Sequence, residues 1–385
     1  MVRQVMEKSK VGVGFIDGVK IVAGVLALVM CIALACGAGP DRAKLMEQTK
    51  AELESLDPFM GDWQGNWRSN DGTDSGALVA QVIALGKGRY QAKFLPEFDT
   101  RSEAIAVLEG EVKDAAVQLS GQAKYEGAEL EVQAVIEKSR FSGSYKGRDS
   151  EGAELVGTFQ MEKVIRLSPT FGAKPPGGAV VLFNGRNFDE WKCSGKEGEV
   201  QWKLVRQTTG GQVDGAMEVK PGTGSIITKK EFADIKLHVE FRTPFMPDAR
   251  GQGRGNSGVY LQGRYEVQVL DSYGLEGRSN ECGGIYGAAQ PLVNMCAPPM
   301  QWQTFDVTFR TARFDQSGKS IEDAWMTVVH NGVKIHEKVK VSKATTAAPG
   351  SGAAQQGGIY LQDHGNRVQY RNIWLVRLPE EPGSD

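Results

Sequence analysis

In Tyr265-Glu266-Val267-Gln268-Val269, apolar side chains alternate with one acid and one amide. Strand alternation places Glu266 and Gln268 on one face, opposite Tyr265, Val267 and Val269. An acid in that position either meets solvent, the commoner case, or lies in a pocket. Two further words share the pattern: Gly258-Val259-Tyr260-Leu261-Gln262 and Gly358-Ile359-Tyr360-Leu361-Gln362. In each, two apolar side chains face a core and Tyr260 with Gln262, or Tyr360 with Gln362, face the other way. A tyrosine ring stacks on the C–H face of a sugar and an amide bonds its hydroxyls, so such a row suits carbohydrate. Two ordinary strands with half-exposed tyrosines would read the same. Asp363-His364-Gly365 follows the second word directly. Histidine changes protonation near neutral pH and serves as acid, base or electrophile. His364 is the only histidine in such a loop, whereas His238, His330 and His336 fall in strand-like segments and read as surface residues.

These words need strands to position them. From Ala179 to about Leu378, short alternating runs such as KLHVEFRT, TFDVTFRT and VQYRNIWLVRL are separated by turn residues, and helical periodicity is nearly absent. Asn331-Gly332 is the strongest hairpin signal in the chain. An antiparallel sandwich is the expected product, over residues 179–380. Residues 58–165 also read as short strands broken by Gly, Asp and Asn, hence a smaller antiparallel barrel or sandwich. Its opening Gly61-Asp62-Trp63 resembles that of lipocalin-like barrels, although Trp63 reads equally well as a core plug. Residues 166–178, with SPTFGAKPPGG, read as a linker. Residues 41–57 read as a short helix or stalk. The fold class is therefore all-β, in two domains. The chain has 385 residues, ample for two domains, and 48 glycines supply many turns. A formal net charge of -2 argues against a nucleic-acid partner.

Ile21 to Ala35 is an apolar run without charge, preceded by Arg3, Lys8, Lys10 and Lys20. That is the layout of a secretory signal over residues 1–36. Cys36, directly after Ala33-Leu34-Ala35, resembles the lipidated cysteine of bacterial lipoproteins, which would tether the protein to a membrane. The expected location is the periplasm or cell envelope. Export would leave Cys193, Cys282 and Cys296 in an oxidising compartment. Cys282 and Cys296 flank a Gly/Pro-rich loop and are the candidate disulfide; two unpaired buried residues are the alternative.

In this order, LFNGRNFDEW, GRGNSGVYLQGRYEVQVLD, CGGIYG, WQTFDV, VVHNGV and GGIYLQDHGNRVQYRNIWL resemble the 3-keto-disaccharide hydrolase family, a concanavalin- and laminin-G-like jelly roll. The resemblance spans about half of the chain and leaves out the first β domain. It implies an oxidised saccharide or glycoside substrate, ketonic at sugar carbon 3. Such a ketone acidifies the C2 proton: a base removes it, electrophilic groups stabilise the enolate, and the C1 aglycone departs, for net hydrolysis or elimination. The resemblance makes Glu266 the base and His364 the acid or electrophile. It makes Asn256, Tyr260, Gln262, Gln268, Asp271, Tyr286, Gln362 and Arg371 substrate-binding candidates. Asn256 would serve equally in shaping a turn, and Arg371 in a structural ion pair. The loop from Asp271 to Gln301, of about 30 residues, is long enough to wall a site. A divalent metal would help an enolate; Glu266, Asp271 and His364 are its candidate ligands, although no motif such as HExxH is present. Two opposed carboxylates, Glu266 with Asp271 or Asp363, would make a conventional glycosidase. The alternative from another class is a noncatalytic carbohydrate-binding or surface-attachment protein.

Overall fold

Period-two alternation shapes the first half of the protein. In AELEVQAVIE, Ala128, Leu130, Val132, Ala134 and Ile136 are buried while Glu129, Glu131 and Gln133 meet solvent. The structure is a computed structural model that describes residues 42–209 and 212–379. Eight such strands follow one another: β1 (Gly61–Ser69), β2 (Ser75–Ala84), β3 (Arg89–Leu95), β4 (Ala106–Lys113), β5 (Ala116–Tyr125), β6 (Ala128–Glu137), β7 (Arg140–Arg148) and β8 (Glu154–Val164). β8 pairs back onto β1, from Asp62 opposite Val164 to Ser69 opposite Gly157, and closes a barrel. Closure leaves no strand edge unpaired. Inside, the Phe141 ring lies 5.6 Å from Trp63, 5.4 Å from Phe94 and 5.7 Å from Phe159. Trp63 is fully buried and donates from Nε1 to the Phe59 carbonyl at 3.1 Å, so it plugs one end of the barrel.

The second half begins with β9 (Val180–Phe183), β10 (Trp191–Cys193), β11 (Lys203–Thr209), β12 (Gln212–Glu218), β13 (Ile226–Thr228), β14 (Ile235–Arg242), β15 (Ser257–Leu261) and β16 (Tyr265–Val269). It continues with β17 (Gln303–Arg310), β18 (Arg313–Phe314), β19 (Ser320–Glu322), β20 (Ala324–His330), β21 (Val333–Val341), β22 (Tyr360–Leu361) and β23 (Gln369–Arg377). The smaller sheet runs β10-β13-β22-β15-β16; the larger runs β11-β12-β23-β14-β17-β20-β21, with β9 also on β23. The two face each other as a jelly-roll sandwich. Val259, Leu261, Val267 and Val269 of the small sheet pack against Leu237, Val239, Phe241, Phe305 and Val307 of the large one. β20 turns into β21 through Asn331 (φ 49°) and Gly332 (φ 84°), as a two-residue primed turn requires. The all-β expectation holds in both halves.

Two features add detail to the sequence reading and a third departs from it. The first part of the Pro/Gly segment after the barrel, Ser168 to Ala173, is bonded to the large sheet through its main chain and hydroxyls. Thr170 donates to Asp306 at 2.6 Å, Gly172 N–H to Glu240 at 2.6 Å, and the Ala173 carbonyl accepts from Asn372 at 2.9 Å. Helix α1 (Arg42–Leu56) lies over it, with Leu45 packed among Phe171, Ala216 and Trp302. Finally, Cys193, Cys282 and Cys296 are all free thiols, so the expected Cys282–Cys296 bridge is absent. The two thiols do touch, but they behave as small core residues: Cys296 Sγ donates to the Leu270 carbonyl at 3.4 Å within the sandwich core. The segment Ile21 to Ala35 and Cys36 lie outside the described residues, among which no helix is long and apolar enough to cross a membrane.

The barrel holds the loop that walls the sandwich. Tyr273 donates to Asp62 at 2.7 Å, and Asp62 also pairs with Arg166 at 2.8 Å. Arg101, between β3 and β4, donates to the carbonyls of Gly277 at 2.6 Å and Pro291 at 3.0 Å.

Candidate active site

β15 and β16 run antiparallel with Tyr260 opposite Glu266 and Gly258 opposite Gln268, and β22 places Tyr360 opposite Tyr260. Alternation then puts all the polar members on the face away from the sandwich core. The Tyr260 hydroxyl donates to the Glu266 carboxyl, and Gln362 Nε2 donates to the Tyr260 oxygen at 3.0 Å. Glu266 is 3% exposed. Burial pushes its pKa up to about 8, and only the Tyr260 bond pulls the other way. Burial, followed by the Glu266 charge, holds the Tyr260 phenol well above its ordinary value, so it remains a neutral donor.

Space for the carboxyl comes from a missing side chain. A Cβ at Gly258 would lie 2.3 Å from Glu266 Oε1 and 2.7 Å from Cε2 of Tyr260. Beyond it, Gln268 Nε2 donates to Gln252 at 3.1 Å and to Asn256 at 3.4 Å, while Asn256 Nδ2 donates to the Gln252 carbonyl at 2.8 Å. Oε1 of Gln268 and of Gln362 are buried without a donor. An unmatched buried acceptor costs about 1–3 kcal/mol. The loop after β16 adds to the sheet edge: Tyr286 N–H donates to the Glu266 carbonyl at 3.2 Å, and Gly283 N–H to that of Gln268 at 2.9 Å. Glu266 N–H donates to Thr345 Oγ1 at 3.1 Å. Gln252, in a single 3-10 turn four residues before Asn256, and Thr345, in the loop after β21, carry no periodic signal, and sequence reasoning missed both.

Glu266, Tyr260, Gln362, Gln268 and Asn256 are thus brought together, and Tyr286 joins them through its main chain alone. Gln262 is not; it sits at φ 54° and bonds Thr311 at 2.9 Å and the Phe232 carbonyl at 3.3 Å, beyond the end of β15. Asp271 is buried against Arg254 at 2.6 Å, where burial raises its pKa and Arg254 opposes the rise. Arg371 lies on the outer face of the other sheet, bonded to Glu240 at 2.8 Å, with its guanidinium 4.3 Å from the Trp302 ring. The expected surface histidines are reversed. His238, His330 and His336 are 1%, 0% and 3% exposed, whereas His364 is exposed in the turn after Gln362. The bonded chain around Glu266 does not include His364. With Asp271 committed to Arg254 and His364 outside, the set Glu266, Asp271 and His364 is not assembled for a metal. Among the described residues no group of three or more His, Cys, Asp or Glu side chains could hold one.

Residues 178–376, about half of the chain, match the 3-keto-alpha-glucoside-1,2-lyase-like domain. The chain belongs to this family. Both sheets and the Glu266 cluster lie within the matched span, and the barrel lies outside it. A candidate glycosyl hydrolase from Parabacteroides distasonis is similar at 33% identity and a TM-score of 0.47, covering 53% of this chain and 85% of its own. A second from the same organism shows 20% identity and a TM-score of 0.39, over 52% of this chain and 94% of its own. No curated protein matches the chain. Membership gives the domain a glycoside hydrolase-like role.

Proposed function

We propose that the protein cleaves the glycosidic bond of saccharides oxidised to a ketone at C3, with Glu266 as the base. One observation carries this reading. Of the other buried acids, Asp62, Asp234, Glu240 and Asp271 each face an arginine, and Asp57 accepts from the main-chain N–H groups of Phe59 and Met60 as well as from Tyr90. The Glu266 carboxyl has the Tyr260 hydroxyl but no cation, and burial pushes its pKa up to about 8. Structural carboxylates are buried with cations; a carboxyl left poised near working pH is suited to taking a proton. Glu266 takes the C2 proton, and the electron pair of that C–H bond passes to the C3 oxygen. The neutral Tyr260 hydroxyl and the amides of Gln362 and Gln268 donate hydrogen bonds within this face. As the enolate collapses, the C1–O bond breaks and the aglycone oxygen takes a proton, for which His364 is the proposed donor. Water added to the C1–C2 double bond completes hydrolysis; its release unhydrated is elimination.

The test is to incubate purified protein with 3-keto-trehalose or a 3-keto-glucoside, and with the unoxidised sugars, and to measure the released aglycone. Turnover of the oxidised sugars alone is expected. Cleavage of unoxidised trehalose at an equal rate, or saturable binding of the keto-sugar without turnover, would overturn the proposal; the second result would make the protein a glycan-binding module. We place this activity in the cell envelope on the strength of the apolar run Ile21 to Ala35 and Cys36. Recovery of the native protein in the cytosol with Met1 intact would remove that placement.

A further inference from the structure

The barrel is plugged by Trp63 at one end and hollow at the other. The open end holds a cavity of about 790 Å³ between the turns that join β1 to β2, β5 to β6 and β7 to β8. Its depths are apolar, formed by Leu78, Phe94, Leu130, Val132 and Phe159. At its mouth stand three half-buried aromatic rings, with Trp67 edge-on to Tyr125 at 5.8 Å and to Tyr145 at 6.3 Å. The rim carries Asp71, Asp74, Glu126 and Glu154, and no lysine or arginine lines the cavity. Asp71 is fixed as an anion by Ser69 and Thr73, and the Tyr125 hydroxyl bonds Asp74 at 3.3 Å. The phenols register this field: after burial, Asp74 and Glu126 help push Tyr125 up to about 12, and Asp74 and Asp71 raise Tyr145.

We infer that the barrel is a second binding site, for an amphiphile with an apolar body and a cationic amine or quaternary ammonium head. A cavity of this volume accepts a small ligand body, and the apolar walls favour burying a chain. Aromatic faces and carboxylates at the mouth attract a cation and repel a carboxylate or phosphate head. The site lies outside the family-matched span and does not depend on the proposed cleavage reaction.

The experiment is calorimetric titration of the full chain with dodecyltrimethylammonium, dodecanoate and a neutral dodecyl glycoside, each below its micellar concentration. The cationic probe should bind at 1:1 stoichiometry and about tenfold or more tighter than dodecanoate. The double variant D74N/E126Q should weaken the cationic probe about tenfold and leave the neutral probe within twofold. Trp67→Leu, on the wall itself, should weaken the cationic probe more than the neutral one. Equal affinity for the three head groups, tighter binding of dodecanoate, or no binding of any chain would overturn the inference. Circular dichroism of each variant separates loss of the site from loss of the barrel.

Discussion

Replacing Glu266 by Gln should lower kcat/KM on a 3-keto-glycoside by roughly 10²–10⁴-fold, the usual contribution of a general base, while making the protein more stable. Both effects come from the same burial. The base must be ionised to act, so wild-type kcat/KM should rise with pH to a midpoint near 8 and then level off, a limb that the Gln variant lacks. For stability the sign is the reverse. The folded pKa of about 8 lies above the ordinary 4.5. Between these values the native state holds a proton that the unfolded chain has released, so stability falls as pH rises from about 4.5 to 8 and is flat beyond. At pH 8 the neutral amide should therefore gain on the order of 2–4 kcal/mol over the acid, a difference that closes toward pH 5. Thermal melts of both proteins at the two pH values read this directly. A Gln variant less stable at every pH would mean that Glu266 is natively ionised, and the assignment would fail. Gly258→Ala is a geometric companion: its methyl group would intrude on Glu266 Oε1. It should cost up to about 100-fold in kcat through a displacement on the ångström scale, with the alkaline limb retained.

Local periodicity explains why this much of the site was legible. Alternation alone assigns Glu266 and Gln268 to one face and Val267 and Val269 to the other, and parts Tyr260 from Val259 and Leu261 in the same way; it needs no knowledge of the rest of the fold. What it cannot supply is the identity of the sheet or what covers its outer face. Tyr370 and Arg371 alternate just as clearly, but β23 lies in the large sheet, so Arg371 points away from the site. His238 does face away from the core, as alternation requires, and is nevertheless buried because Thr170 to Ala173 and Trp374 cover that face. Asp271 resembled a free ligand because its partner, Arg254, comes from the loop before β15. For the barrel, strand spacing suggested antiparallel neighbours, while closure depends on β8 meeting β1 across the whole domain.

Arg371→Ala should therefore damage the fold rather than the chemistry. Glu240 sits beneath the Pro/Gly strap, fully enclosed, and accepts from Arg371 at 2.8 Å, Asn372 at 2.8 Å and Gly172 N–H at 2.6 Å. His238 bridges Glu240 at 3.6 Å and Asp306 at 2.8 Å. Burial works against both charges, yet Arg371 and His238 hold Glu240 down to about 2, and Asp306 and Glu240 raise His238 to about 9. The two shifts act over different pH ranges. The Glu240 contribution is complete above its unfolded value near 4.5 and lost as pH falls toward 2; that of His238 is complete below about 6.5 and lost as pH rises through 9. The network is strongest between about pH 4.5 and 6.5. Removing Arg371 leaves Glu240 enclosed without its principal cation, a loss of about 3–5 kcal/mol. It also uncovers the Trp302 and Phe171 faces on which the guanidinium rests. Urea titrations at pH 6 should show that loss in the midpoint, while kcat per folded molecule stays within about twofold because Glu266 lies on the other sheet. The opposite result, an unchanged midpoint with lost turnover, would return Arg371 to the sugar site and contradict its placement against Glu240. Glu240→Gln, which keeps the shape and removes the charge, separates the two contributions: it should lose the stability due to pairing while retaining the Asn372 and Gly172 bonds, and kcat should again be unmoved.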